Sequence, residues 1–325
     1  MLKYKIYHSE IKDPRVNLAY EEYFLSNAKK DELVMFFWQS DNAVVIGRHQ
    51  NPYQECNVSK LDQDQVTLVR RLSGGGAVYH DLGNLNFAFI APNELFDVDK
   101  QFGIMINAMK HLGISSEKSG RNDLVASGRK FSGNAFITED HASLHHGTLL
   151  IDADITKISK YLTVSHKKLD TKGFDSIASR VINLRELNAE INIESIILAV
   201  RHTLESNDYK VQISELPKST ILDEYMSKYN SHLWNYGECP DFNVSFEEKF
   251  DWGLVSVNMS VHEGKIEYFN LSTDSLETKP FEKFNKDVLH QELTINHIHS
   301  LLSSCFDQEM VLNDLKSLIE REIFD

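Results

Sequence analysis

Residues 70–84 read Arg70-Arg71-Leu72-Ser73-Gly74-Gly75-Gly76-Ala77-Val78-Tyr79-His80-Asp81-Leu82-Gly83-Asn84. The three consecutive glycines stand between a strand pattern, Val66 to Val69, and an alternating run in which Leu85, Phe87 and Phe89 predict a half-buried strand. A backbone without side chains can approach a ligand closely and turn its N–H groups toward an anion. Arg70 and Arg71 add fixed positive charge and forked donors beside it. No Gly-Lys-Ser/Thr follows, so this is not a Walker loop, and the Gly-x-Gly-x-x-Gly dinucleotide fingerprint is absent. A glycine-rich hairpin with surface arginines has the same composition, so the stretch gains meaning only from its company.

That company lies downstream. Arg121-Asn122-Asp123 precedes Ser127-Gly128-Arg129-Lys130-Phe131-Ser132-Gly133-Asn134-Ala135, where Lys130 stands between two Ser/Gly pairs in a segment expected to bend tightly. A lysine there can set an ammonium against a phosphate or carboxylate, whereas an isolated loop lysine is merely solvated. His141 and His145 are spaced i, i+4, which chelates a metal on a helix, but no Glu follows His141 and the run leads into a strand at Thr148 to Ile151. A ligand contact from His146, or a satisfied interior histidine, fits better. Ser179-Arg180-Val181-Ile182-Asn183-Leu184, preceded by Lys172-Gly173, is a weak signal alone.

Composition bounds the rest. The chain has 325 residues, 42% hydrophobic and 25% charged, which suits one large or two ordinary globular domains. A formal charge of −14 argues against a general nucleic-acid binder. Cys56, Cys239 and Cys305 form no Cys-x-x-Cys and belong to no recognisable Cys/His arrangement, so neither a disulfide scaffold nor a thiol nucleophile is expected. The first residues lack the apolar run of a signal peptide, and the longest apolar run, Leu33 to Trp38, is far short of a membrane span. The expected location is cytoplasmic, with no membrane and no nucleic-acid partner.

The charge is uneven: residues 245–325 carry 16 acidic and 7 basic groups, net −9, against net −5 for residues 1–244. This places a boundary near 240–250, where Asn235 to Asp241 holds turn formers. Before it, Val44 to Ile46 reads as a buried strand. Phe102, Met105, Ile106, Met109 and Leu112 make a helix capped by Gly113, and Ile193 to Leu204 a second. After it, Val255, Val257, Met259 and Val261 alternate along a strand that His262 to Lys265 turns into another, Ile266 to Leu271. Two helices follow, one burying Ile295, Ile298, Leu301, Leu302 and Cys305, the other Leu312, Leu315, Leu318, Ile319 and Ile323.

Together these segments resemble the lipoate–protein ligase A family, bacterial type with a C-terminal accessory domain. Arg70 to Asn84 looks like its lipoate-binding segment, and Arg121 to Asp123 with Lys130 to Ala135 looks like its nucleotide and catalytic-lysine segments. His145 to Leu150 and Ser179 to Leu184 match in the same order, and Trp234 to Phe242 looks like the end of the large domain. The resemblance implies a mixed-sheet α/β (α+β) catalytic domain over 1–244, related to biotin–protein ligases, and a small α+β accessory domain over 245–325. It implies an ATP-dependent reaction: lipoate attacks the α-phosphate, pyrophosphate leaves, and a lysine of an acceptor takes the lipoyl group from lipoyl-AMP.

By the same resemblance Lys130 is the catalytic cation, touching both the lipoate carboxyl and the α-phosphate, and Arg71 is a bidentate phosphate clamp. Gly76, Ala77, Val78 and Tyr79 line the nucleotide, and Asn84, Asn122 and Asp123 reach the nucleotide, Asp123 also Mg²⁺. Arg71, Ser73, Gly74, Gly75, His80, Lys130 and His146 bind lipoate. His80 and His146 are the candidate bases for the transfer step. The implied acceptors are lipoyl domains of 2-oxoacid dehydrogenase complexes and the glycine-cleavage H protein, met by a monomer near its less acidic large domain, while the tail opens or covers the site. Three other readings share this fold class: an ATP-independent octanoyl or lipoyl transferase, a non-catalytic lipoate- or acyl-carrier-binding module, and a biotin ligase. The Arg-Leu-Ser-Gly-Gly-Gly loop and Lys130 favour the ligase over all three.

Overall fold

The computed structural model describes residues 2–120, 122–163, 180–238, 242–273 and 279–325. Arg121, Lys172, Gly173, Ser179, Cys239, Pro240 and Asp241, all named above, lie outside the described residues. The chain divides into two compact units, Met1–Arg48 with Thr67–Asn230, and His49–Val66 with Ser231–Asp325. Residues 49–66, from the middle of the first expected domain, thus group with the C-terminal unit.

In chain order the first unit runs β1 (Lys3–His8), α1 (Pro14–Ser26), β2 (Glu32–Trp38), β3 (Ala43–Ile46), β4 (Thr67–Arg70), β5 (Val78–His80), β6 (Asn84–Pro92) and α2 (Val98–His111). It continues with β7 (Ser116–Ser119), β8 (Asp123–Ala126), β9 (Arg129–Thr138), β10 (Ala142–Leu150), α3 (Ile193–Ser206) and β11 (Lys210–Ile213). A mixed eight-stranded sheet has the order β11-β1-β2-β6-β10-β9-β8-β7. Its pairs are parallel on both sides of β1 and antiparallel from β2 to β7. A small sheet, β4-β3-β5, carries the glycine loop between β4 and β5.

The alternation over residues 84–89 misreads the sheet's depth. Every residue of β6 is buried. The strand lies between β2 and β10, α1 covers one face, and the core containing Phe102, Met105 and Met109 of α2 covers the other. The asparagines are therefore interior polar groups: Asn84 donates Nδ2 to Asn86 Oδ1 at 3.1 Å, while its own Oδ1 is buried with no partner among the described residues. The α2 and α3 helices form over the expected residues. Asp97 and Asn192 accept hydrogen bonds from the backbones of Lys100 and Ser195 at their N-termini, and Gly113 takes φ +75° just past α2.

In the second unit β12 (Phe242–Phe250), β13 (Gly253–His262) and β14 (Lys265–Thr273) form an antiparallel meander. Val255, Val257, Met259 and Val261 are buried beneath α4 (Lys279–Asp287), α5 (Ile295–Cys305) and α6 (Glu309–Ile319), whose buried side chains complete this core. No helix among the described residues is long and apolar enough to cross a membrane.

Candidate active site

The glycine loop is shaped from beneath by Arg71. Its guanidinium donates to the carbonyls of Val45 (3.1 Å), Gly74 (2.7 Å) and Gly76 (2.8 Å), and its Nε to Ser73 Oγ (3.2 Å). Burial lowers its pKa to about 10, opposed by the Glu21 charge. The fork expected to clamp phosphate is here engaged with the loop's own carbonyls. Gly75 holds φ +93°, and a Cβ there would stand 2.9 Å from Arg71 Nη2, so both conformation and space call for glycine. Arg48 N–H closes the loop on Ser73 O at 2.9 Å.

Lys130 lies on strand β9, not in a bend. The bend is the two-residue turn Ser127-Gly128, with φ of 52° and 74°, joining β8 to β9. Lys130 N–H donates to Arg180 O at 2.8 Å, and Ile182 N–H donates to Lys130 O at 2.9 Å. The Arg180-Val181-Ile182 stretch, weak as a signal, thus fixes the backbone of the lysine. Lys130 Nζ meets Asp123 Oδ1 at 2.7 Å.

His146 sits in a buried polar line. Ser73 Oγ and His146 Nε2 are 2.6 Å apart, His146 Nδ1 and Glu21 Oε2 are 2.7 Å apart, and Trp38 Nε1 donates to Glu21 Oε1 at 2.9 Å. The Ser73 hydroxyl, which can donate or accept, and the Glu21 carboxylate, which accepts, fix the ring between them. His80 is buried, and its pKa falls to about 3 through burial and then the positive charge of Arg71 and His146. Its Nε2 has no hydrogen-bond partner among the described residues.

These groups surround a cavity of about 230 Å³. Leu18, Trp38, Val45 and Val78 supply apolar wall; Lys130, His80, Asn122 and His146 supply polar groups. Of the residues singled out from sequence, the structure brings Arg71, Gly75, Gly76, Ala77, Val78, His80, Asn122, Lys130 and His146 to this cavity. Ser73, Gly74 and Asp123 stand one contact behind it, bonded to His146, Arg71 and Lys130. Two are drawn away: Asn84 is fully buried beside Asn86, and the Tyr79 hydroxyl bonds Asn42 Oδ1 at 3.1 Å. Glu21, Trp38 and Asn134 line the cavity without having been singled out as site residues. Glu21 belongs to α1, 125 positions before His146, so nothing local marks it.

The His141/His145 spacing carries no helical chelate, because neither residue lies on a helix. His141 is exposed in the turn before β10, and His145 is fully buried within it. Among the described residues no three His, Cys, Asp or Glu side chains converge as a metal site.

Comparison with known proteins agrees with this architecture. Residues 13–205 match the lipoyl protein ligase A/B catalytic domain, and residues 239–320 the bacterial lipoate protein ligase C-terminus. The chain is 38% identical over 286 residues to the lipoate-protein ligase A of Psychrobacter cryohalolentis, an alignment spanning 85% of this chain and 84% of that protein. Among solved structures it resembles P. falciparum LipL1 in complex with lipoate (TM-score 0.63, 26% identity, 99% of this chain and 100% of that one). It also resembles a bipartite lipoate protein ligase from Thermoplasma acidophilum, solved in a study of that protein and its E2 lipoyl domain (TM-score 0.66, 26% identity, 73% of this chain and 98% of that one). With the catalytic-domain match covering more than half its length and the C-terminal match following in order, the chain belongs to the lipoate–protein ligase family.

Proposed function

We propose that the protein activates free lipoate with ATP and transfers the lipoyl group to a lysine of an acceptor lipoyl domain, with residues 1–244 as the catalytic part and 245–325 as the accessory part. The observation that carries this reading is Lys130, whose ammonium lines a cavity walled elsewhere by Leu18, Trp38 and Val45. An apolar tail with a carboxylate head suits such a cavity. In the first step a lipoate carboxylate oxygen bonds to the α-phosphorus, the bond from that phosphorus to the bridging oxygen breaks, and pyrophosphate leaves. Two anions must approach, and a fixed ammonium offsets their repulsion and the charge that develops between them. In the second step the acceptor amine attacks the acyl carbon, the C–O bond to AMP breaks with its electron pair, and the amine's proton passes to His80, His146 or water.

Lys130 holds both carboxylate and α-phosphate. The backbone of Gly76 to Val78 and the Asn122 side chain face the nucleotide, Gly75, His80 and His146 face lipoate, and Arg71 acts through the loop it braces. Mg²⁺ is expected to arrive with the phosphates. The donor set fits that mode, since Asp123 can offer one carboxylate beside Lys130 while phosphate and water supply the remaining oxygens. Acceptors are the lipoyl domains of 2-oxoacid dehydrogenases, the glycine-cleavage H protein, or both, met in the cytoplasm by a monomer.

The test is pyrophosphate release with ATP, Mg²⁺ and lipoate. Release that requires lipoate and is lost in Lys130→Ala supports the reading. Folded wild-type protein that releases none overturns it.

A further inference from the structure

His145 and His146 are adjacent on β10 and therefore face opposite sides of the sheet. His146 faces the cavity. His145 faces the core beneath α2, and the reaction as proposed assigns it nothing. Its ring is fully buried, 4.5 Å from that of Phe136, 5.0 Å from Phe102 and 5.7 Å from Phe87 and Phe89, centroid to centroid. In this apolar cage both nitrogens are nevertheless engaged. Nδ1 lies 2.9 Å from Gln101 Oε1 of α2, and Nε2 lies 2.9 Å from Asn134 Oδ1 of β9.

Burial, reinforced by His146 and Lys118, holds the His145 pKa down at about 3. The ring is neutral and has one N–H and one lone pair, so it cannot donate to two amide oxygens. Asn134 decides the direction. Its Nδ2 donates to Asn122 O at 2.9 Å and to Ser132 Oγ at 3.2 Å, which leaves its Oδ1 to accept from His145 Nε2–H. Nδ1 then accepts from the Gln101 side-chain amide, turned so that its NH₂ faces the ring. The main chain of Asn134 is also half of a reciprocal clasp, to which its side-chain Nδ2 adds the bond to Asn122 O. Asn122 Nδ2 donates to Asn134 O at 2.6 Å, and Asn134 N–H donates to Asn122 O at 3.0 Å. Both asparagines line the cavity, and the next residue, Asp123, holds Lys130.

We propose that His145 is a positioning residue for the ligase reaction: from the buried face of the sheet it fixes the Asn134 amide, which holds the Asn122–Asn134 clasp and so the backbone that sets Asp123 and Lys130 against the substrates. This rests on the function proposed above. The line runs Gln101 to His145 to Asn134 to Asn122, through the sheet, and none of its hydrogen bonds requires a charge.

The test compares His145→Phe, which keeps a ring in the cage but no N–H, with His145→Gln, which can donate to Asn134 and accept from Gln101. Steady-state pyrophosphate release is the readout. In His145→Phe we expect kcat to fall about tenfold, the scale of one lost buried hydrogen bond, with the KM for lipoate within about twofold of wild type. His145→Gln is expected to restore most of kcat. A folded His145→Phe with wild-type kcat overturns the proposal, as does an equal loss in His145→Gln. Should His145→Phe not fold, Gln101→Met cuts the line from outside the cage. It is expected to lower kcat severalfold with lipoate KM unmoved, and an unchanged kcat overturns the proposal. Imidazole ¹H–¹⁵N correlation spectra of wild-type protein at pH 7 separate this inference from the function beneath it. A neutral Nε2–H tautomer for His145 is expected whatever the enzyme's substrate, and an imidazolium or Nδ1–H tautomer overturns the relay. Wild-type protein that releases no pyrophosphate overturns the functional reading and, with it, the catalytic part of this proposal.

Discussion

Lys130 Nζ stands 2.7 Å from Asp123 Oδ1, on strand β9 beside strand β8. The side chains are 39% and 34% exposed, so as a surface ion pair this adds about 0–1 kcal/mol to stability. Its larger consequence is orientation. A Cβ at Gly133 would lie 2.9 Å from the same Nζ, so the ammonium is held between a carboxylate and a position kept free of side chain.

Lys130→Ala should lower the rate of lipoate-dependent pyrophosphate release by about 10²–10³, the usual cost of removing one preorganised electrostatic group. Asp123→Asn should leave urea stability within about 1 kcal/mol of wild type yet slow the same reaction, because the amine loses its charged partner. Equal rates in Asp123→Asn and wild type would reduce the pair to an ordinary ion pair.

Arg71→Lys should destabilise the protein by about 2–3 kcal/mol, since a lysine cannot reproduce a fork that reaches three carbonyls and a hydroxyl. Urea unfolding measures the loss. The glycine loop should also become open to proteolysis between Ser73 and Val78, while a loop that stays resistant would show that Arg71 does not brace it.

Stability should fall in acid through His80 and His145, whose pKa values drop from the ordinary 6.5 to about 3 on burial. Above pH 6.5 both are neutral in folded and unfolded chains and contribute no pH dependence. Below it the unfolded chain binds protons that the folded one refuses, so each histidine removes about 1.4 kcal/mol per pH unit down to about pH 3. His80→Gln should have a shallower slope than wild type between pH 6 and pH 4 in urea titrations. Parallel slopes would mean that His80 takes up its proton within the fold.

Replacing Cys56, Cys239 and Cys305 together by Ser should leave pyrophosphate release and acceptor lipoylation in place. Cys56 and Cys305 are buried and outside any disulfide, and so lack the exposed setting of a reactive cysteine. Loss of transfer with the fold intact would revive a thioester mechanism.

What the sequence discloses follows from the range of its signals. The β13–β14 hairpin and the α2 and α3 helices are legible because their pattern is local: alternation, a cap, a left-handed glycine. Lys130 and the glycine loop are legible because glycine and charge are rare neighbours. Three things are not. The burial of β6 depends on α1 and α2 closing over opposite faces, which no alternation within β6 records. Glu21 looks like any acidic residue of a surface helix until the fold lays it against His146 and Trp38. Arg71 reads as a ligand cation, and the backbone carbonyls that its guanidinium meets in the fold have no letter in the sequence.

Strand β1 has a further consequence for how the molecule is made. It pairs with β2, about 30 residues on, and with β11, which begins at Lys210. During synthesis from the N-terminus the sheet can grow from β1 toward β10 long before its last partner exists. A nascent chain that has not yet delivered residues 210–213 carries Lys3–His8 as an open strand edge, with Tyr4 and Ile6 awaiting cover. Ribosome-bound intermediates shorter than this are therefore the ones that should bind holdases, and release from them should coincide with the emergence of β11.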